Sequence, residues 1–145
     1  MLAPSHFVAT GLLLAALVSA PIACLAADTR TITVQEAHAR AANGEIVLVD
    51  VRTPGEWRDT GIGEGAHAVS MHLPGFVEKL AAVTGGDKSR PIALICARGG
   101  RSARMSAQLA RLGYSAILDV AEGMLGSRHG PGWLKARLPT SPYAR

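Results

Sequence analysis

The sequence predicts an α/β domain with a central parallel β-sheet flanked by helices on both faces. Three apolar runs carry this prediction, at residues 46–49, 91–95 and 116–120. Each run is short, rich in β-branched residues and separated from the next by a helical pattern. Continuous apolar runs indicate strands buried on both faces, and their alternation with helices is typical of a parallel sheet.

A short strand and a capped helix open the domain. Residues 31–33 (Thr-Ile-Thr) predict the strand, and Thr33 with Glu36 has the spacing of a capping box. In that motif a hydroxyl and a carboxylate satisfy backbone N–H groups of the first helical turn. The helix should run to about residue 42 and stop at the Asn-Gly pair 43–44.

The first buried strand, at 46–49, leads to a second capped helix. Thr53 and Glu56 repeat the capping-box spacing with a proline at the first helical position, which predicts a short helix through Trp57. The glycine-rich segment 61–65 is expected to be a loop. The other predicted elements are a weak strand at 66–70, a helix at 76–83, a turn at 85–87, strands at 91–95 and 116–120, a helix at 102–112 capped by Gly113, and a short helical element starting at 123–125.

Polar residues follow the first two long strands. Asp50 and Arg52 come directly after the first, and Cys96 directly after the second. Ligands of open parallel sheets bind outside the carboxyl ends of the strands. We therefore expect these three side chains on one side of the molecule.

The segment from Cys96 to Arg101, with sequence Cys-Ala-Arg-Gly-Gly-Arg, lies between a buried strand and a helix. Loop N–H groups and a helix N-terminus can converge on one point there and favour an anion. Arg98 and Arg101 would stabilise a thiolate further, while Gly99 and Gly100 allow a tight backbone curve. The alternative is that Cys96 is only a small buried hydrophobe in an ordinary loop.

These segments resemble the rhodanese superfamily, and the resemblance covers essentially everything after the N-terminal segment. The motifs that carry it are 49–52 (VDVR) with 56–57 (EW), 61–66 (GIGEGA), 96–102 (CARGGRS), and 120–124 (VAEGM) with 132–133 (GW). In the 61–66 motif, Ile62 and Glu64 replace the usual His and Pro. That departure affects only the geometry of a loop that does not hold the family's nucleophile.

The resemblance implies a sulfurtransferase that moves sulfane sulfur through a persulfide on Cys96. The expected donor is a small anion such as thiosulfate, whose sulfonate Arg98 and Arg101 would hold. The acceptor would be a thiol, cyanide or a partner protein, and no cofactor is needed. The implied substrate-binding residues are Ala97, Arg98, Gly99, Gly100, Arg101 and Ser102, and Asp50, Arg52 and Glu56 would give structural support.

Loop length separates this chemistry from that of related phosphatases and arsenate reductases. Sulfur carriers of the superfamily have six-residue loops and the phosphatases have seven, and the segment 96–101 has six. A phosphatase would also need an arginine at position 102, which is Ser102. The main alternative is a non-catalytic or redox-sensing binding module in the cell envelope, and a cysteine-based phosphatase is a weaker one.

Residues 1–27 have the pattern of a signal peptide, and residues 28–145 form the predicted rhodanese domain. No residue from Phe7 to Ala27 is charged, and small residues precede a switch to polar sequence at Asp28. Cleavage after Ala26 or Ala27 would leave Cys96 as the only thiol. Export, to the periplasm of a bacterium, is the expectation, with a retained membrane anchor or lipidation at Cys24 as alternatives.

Composition limits the kinds of molecule that the protein is expected to bind. All 15 Lys and Arg and all 11 Asp and Glu follow residue 27, so the domain carries the net charge of +4, which suits an anionic small substrate. Basic runs are absent and aromatic residues are only 4% of the chain, which argues against nucleic acid. The histidines show no paired spacing, so no metal site is expected; they are His6, His38, His67, His72 and His129.

Overall fold

The computed structural model describes residues 30–143. The predicted signal peptide therefore lies outside the described residues. In chain order the elements are β1 (Arg30–Thr31), α1 (Val34–Ala42), β2 (Val47–Asp50), α2 (Pro54–Thr60), β3 (Ile62–Gly63), β4 (His67–Ala68), α3 (Phe76–Thr84), β5 (Ile92–Ile95), α4 (Gly100–Arg111), β6 (Ile117–Val120), α5 (Gly132–Lys135) and β7 (Thr140–Ser141).

Five strands form one parallel sheet in the order β1-β6-β5-β2-β4. The three long strands β2, β5 and β6 are buried along their whole length. They correspond to the three apolar runs, so the predicted α/β class with a central parallel sheet is confirmed. Within the described residues, no helix is long and apolar enough to cross a membrane.

Helices cover both faces of the sheet. Successive residues of a strand point to opposite faces, and β5 shows this directly. Ile92 and Leu94 pack with α3 and α4 in one hydrophobic cluster, whereas Ala93 and Ile95 pack with α1 and with Trp133 in another. Each face of the sheet is thus one wall of a separate core.

The two predicted capping boxes have different outcomes. Thr53 and Glu56 form both reciprocal bonds at the start of α2. At α1 the hydroxyl of Thr33 accepts the N–H of Glu36, but the Glu36 carboxylate turns to Arg40 one helical turn later instead of closing the box. An arginine four residues further on offers that carboxylate a charged partner.

Two predictions about irregular segments were wrong. The segment 61–65 is not all loop, because β3 pairs antiparallel with β7 near the end of the chain. The segment 123–125 does not start a helix, which begins only at Gly132. Gly123 has a φ of +70°, and the two N–H groups that follow it donate to distant carbonyls, so no helical ladder forms there.

Candidate active site

The candidate site lies where β5 ends, with the ends of β2 and β6 on either side. Cys96 follows β5 directly, and Gly99 is the N-cap of α4. The helix therefore starts at Gly100 and not at the predicted Ser102. Glycine is a poor helix former, but here Gly99 takes the left-handed conformation (φ +86°) and turns the chain into the helix.

The thiol of Cys96 sits inside this turn. The side chain is buried, with 1% relative exposure, and Sγ accepts the N–H of Gly99 at 3.1 Å. Cys96 forms no disulfide with any residue of the described part of the chain. The sulfur thus lies beside the N-terminus of a 12-residue helix, with one backbone N–H directed at it.

The segment after β6 is hydrogen-bonded to the first two residues of the loop. The N–H groups of Met124 and Leu125 donate to the carbonyls of Cys96 and Ala97 at 2.8 and 2.9 Å. A Cβ on Gly123 would overlap the backbone of Ala97. Residues 123–125 therefore fix the first two residues of the loop by direct backbone contact.

Arg101 is held by Glu56 across the site. Its two terminal nitrogens donate to the two carboxylate oxygens of Glu56 at 2.5 and 2.9 Å, and Nη1 lies 3.3 Å from Nε2 of His72. These bonds to Arg101 are the main reason that the pKa of Glu56 falls from its ordinary 4.5 to about 2. The pKa of Arg101 is raised, mainly by the same bonds. Because Glu56 also accepts the N–H of Thr53, one carboxylate connects the start of α2 to the loop.

Asp50 and Arg52 form a fully buried ion pair below the site. Nη2 of Arg52 lies 2.8 Å from Oδ2 of Asp50, and the two side chains are 1% and 0% exposed. Arg52 also donates to the hydroxyl of Thr60 and to the carbonyl of Gly61, each at 2.8 Å. This arginine therefore connects the C-terminal end of α2 to the end of β2.

The other loop residues divide between solvent and interior. Arg98 and Gly100 are exposed, and Nη1 of Arg98 donates to the carbonyl of Gly126 at 3.3 Å. Ser102, predicted to bind substrate, is instead fully buried, and its hydroxyl donates to the carbonyl of Gly99 at 3.0 Å. Through this bond Ser102 supports the backbone of the loop.

A cavity of about 410 Å³ opens beside the loop, on the side of β6. Its walls are Arg98, Gly99, Gly100, Ala103, Asp119, Ala121, Ser127, Arg128 and His129. Asp119 is buried at 5% relative exposure, and its Oδ1 has no hydrogen-bond partner within the described residues. Burial raises the pKa of Asp119 above its ordinary value.

Sequence reasoning missed three residues around the site. Asp119 carries a charge inside the apolar run 116–120, which was a usable signal for a special role. Glu122, buried behind the loop, accepts the N–H groups of Val34 and Gly132 at 3.2 and 3.1 Å. His72, considered in the sequence only as a metal ligand, contacts Arg101. Among residues 30–143 no group of three His, Cys, Asp or Glu side chains could hold a metal.

The fold and site together define an α/β domain with a cysteine loop between a central parallel strand and a helix. The rhodanese-like domain family matches residues 33–127 of the chain, about two thirds of its length, and the chain belongs to this family. The predicted resemblance to rhodaneses is thereby confirmed.

Individual proteins that are similar to this chain include sulfurtransferases. A sulfurtransferase of Allochromatium vinosum is 30% identical over 87 residues, which are 59% of this chain and 76% of that protein. An uncharacterized protein of Rickettsia prowazekii is 27% identical over 103 residues, 67% of this chain and 84% of its own. The solution structure of the polysulfide-sulfur transferase homodimer from Wolinella succinogenes superimposes with a TM-score of 0.61 at 26% identity and covers 83% of each chain. Rhodanese-like and sulfurtransferase relatives support sulfur transfer in general.

Proposed function

We propose that this protein transfers sulfane sulfur from thiosulfate, or a similar anionic donor, to a thiophilic acceptor through a persulfide on Cys96. The observation that carries the proposal is the Gly99 N–H on Sγ, in a six-residue loop that begins a helix. This arrangement directs a backbone N–H and the positive end of a helix dipole at the sulfur.

In the first half-reaction the Cys96 thiolate attacks the outer sulfur of thiosulfate. A bond forms between Sγ and that sulfur, the bond to the sulfonate sulfur breaks, and sulfite leaves with the electron pair. Arg98 and Arg101 flank the loop and would stabilise the sulfonate and the departing sulfite. In the second half-reaction the acceptor takes the outer sulfur, and Sγ returns to a thiolate.

The two arginines should contribute differently. Both carboxylate oxygens of Glu56 already bind Arg101, so this guanidinium is fixed in direction and partly neutralised. Arg98 is exposed and makes one bond to a backbone carbonyl. We therefore assign Arg101 the fixed charge beside the loop and Arg98 the adaptable contact to the donor.

The test of the proposal is the sulfur adduct itself. After treatment with thiosulfate, mass spectrometry of the wild-type protein should show one added sulfur, which is lost on exposure to cyanide. Cys96→Ser should remove both the adduct and the turnover, because a hydroxyl fits the loop but does not ionise at neutral pH. An adduct or turnover that survives in the Ser variant would show that the chemistry lies elsewhere.

A phosphatase assay on the same protein separates the alternative chemistry. A six-residue loop crowds a tetrahedral phosphate, and the position where a phosphatase needs its arginine holds the buried Ser102. Turnover of an aryl phosphate should be negligible beside sulfur transfer. Comparable rates would reverse this assignment.

We also propose that the protein acts outside the cytoplasm, as an exported periplasmic enzyme. The uncharged segment from Phe7 to Ala27, with small residues before Asp28, supports export.

A further inference from the structure

The cavity beside the loop carries opposite charges that do not neutralise each other. Arg98 and Arg128 line it, and neither forms an ion pair with a carboxylate of the described part of the chain. Asp119 lines the same cavity and is buried, and its Oδ1 makes no hydrogen bond with any group of residues 30–143. A buried polar atom without a partner is costly and rare in native structures.

The walls restrict what could satisfy these groups. Nε of Arg128 donates to His129 at 3.1 Å, which leaves its terminal nitrogens available for an anion. A simple anion would be repelled by the Asp119 carboxylate. A metal cation would be repelled by two guanidinium groups and attracted by only one carboxylate. A neutral molecule would leave both charges unmatched. A molecule that carries an ammonium and a carboxylate matches both parts of the wall.

The cavity and the reactive sulfur share one residue. Gly99 donates its N–H to Sγ of Cys96 and also lines the cavity. The volume of about 410 Å³ lies within the range of roughly 300–1,000 Å³ that small-molecule sites occupy. An occupant of this cavity therefore contacts Gly99, whereas Cys96, at 1% relative exposure, is not one of the lining residues.

We propose that this cavity is the acceptor site, and that it binds a zwitterionic aminothiol, a thiol with the ammonium and carboxylate of an α-amino acid. This inference rests on the proposed function, and it names the class of acceptor. Asp119 accepts the ammonium, and Arg98 and Arg128 bind the carboxylate. The acceptor's sulfur bonds to the outer sulfur of the Cys96 persulfide, and the bond between that sulfur and Sγ breaks. Sγ keeps the electron pair as a thiolate, and the thiol proton moves to the transferred sulfur, giving a small persulfide.

Binding can be measured without any sulfur chemistry. The probes are S-methylcysteine, which has both charges and no thiol, (methylthio)acetate, which has only the negative charge, and 2-(methylthio)ethylamine, which has only the positive one. Calorimetry on the purified wild-type protein should find S-methylcysteine bound about tenfold more tightly than either analogue, since each charged contact is worth about 1.4 kcal/mol or more. Equal affinities for the three probes, or no binding of S-methylcysteine, would overturn the inference.

Substitutions in the cavity wall test which residue binds the ammonium and which binds the carboxylate of the probe. Asp119→Asn should weaken S-methylcysteine binding about tenfold and leave (methylthio)acetate binding undiminished. Arg128→Gln should weaken the binding of S-methylcysteine and of (methylthio)acetate, which carry a carboxylate, and leave the binding of 2-(methylthio)ethylamine unchanged. Because Arg128 is exposed, this variant tests the site even if the buried Asp119 tolerates no change. Asp59→Asn and Arg111→Gln are matched controls, since both residues are exposed and neither lines the cavity. Controls that change the affinity as much as the cavity variants would overturn the assignment.

Turnover distinguishes this inference from the proposed function. With the persulfide form, the ratio of kcat/KM for cysteine to that for mercaptoacetate should fall about tenfold in Asp119→Asn. Cyanide turnover in the wild type together with no S-methylcysteine binding would overturn the acceptor site and leave the sulfurtransferase intact. Binding of S-methylcysteine without turnover of any acceptor would overturn the sulfurtransferase and keep the zwitterion site.

Discussion

At the scale of single residues, the site depends on pairs of groups that the chain brings from distant positions. Glu56 and Arg101 are 45 residues apart, yet their side chains form two hydrogen bonds beside the loop. Sequence reasoning named both residues, because each belongs to a motif of the family. The pairing between them could not be predicted, since local patterns do not show which side chains meet across a site.

The Glu56 carboxylate makes the stability of the protein depend on pH. Its pKa is lowered from 4.5 to about 2, so its contribution is complete above about pH 4.5 and is lost as the pH falls toward 2. Glu56→Gln should therefore flatten the stability curve between these two pH values, as measured by denaturant unfolding at a series of pH values.

Glu78→Gln is the control for that series, because Glu78 is an exposed carboxylate in α3. Its curve should follow the wild type. A Glu56→Gln curve parallel to that of the wild type through the whole acidic range would show that the bonds to Arg101 do not stabilise the fold. The same variant should also slow sulfur transfer from thiosulfate, since Arg101 loses the partner that fixes its direction.

At the scale of elements, sequence patterns predicted the long strands well and the turns poorly. β2, β5 and β6 were evident because a strand buried on both faces has to be apolar throughout. The start of α4 was placed two residues late, since Gly99 and Gly100 favour loops by local propensity. The short pair β3 and β7 was missed because neither strand has an apolar pattern and their partners are about 80 residues apart.

The two adjacent glycines of the loop offer a matched test. Gly99 has a φ of +86°, and a Cβ there would overlap the carbonyl oxygen of Ala121, whereas Gly100 is in the helix with nothing within 4 Å of an added Cβ. Gly99→Ala should lower the free energy of unfolding by about 2 kcal/mol or more, because left-handed strain and overlap combine.

Gly100→Ala should leave the free energy of unfolding unchanged or raise it slightly, because alanine favours a helix more than glycine does. Denaturant unfolding of the two variants measures the difference. Equal destabilisation by both would mean that the conformation of Gly99 and its contact with Ala121 are not what fixes the loop.

At the scale of the whole molecule, β1 lies at one edge of the parallel sheet. Arg30 pairs with Leu118 and Thr31 with Asp119 at one edge of the sheet. Removal of the segment before Asp28 would leave these pairs in place. The parallel sheet and the position of Cys96 after its second long strand were predictable from sequence. The cavity was not, because its wall combines α4, β6 and the turn at 127–129.

The proposed export makes a prediction for the intact chain. Expressed in a bacterium, the protein should be recovered from the periplasm with its first residue at Ala27 or Asp28, as N-terminal sequencing or intact mass would show. The expected cleavage point lies just ahead of β1, so the processed protein should be folded and active. A periplasmic product that still begins at Met1 would contradict cleavage and favour an anchored protein.

The position of β1 at the edge of the sheet also determines when its contacts can form as the chain emerges. Its neighbour in the sheet is β6, and the N–H of Val34 is bound by Glu122, 88 residues later. A chain that emerges from a ribosome or a membrane pore N-terminus first cannot form these contacts until residues 117–122 have emerged. The N–H groups that bind the carbonyls of Cys96 and Ala97 belong to residues 124 and 125, in the same late segment. The geometry of the cysteine loop is therefore completed only after the strand and the turn that follow it in the chain have been made.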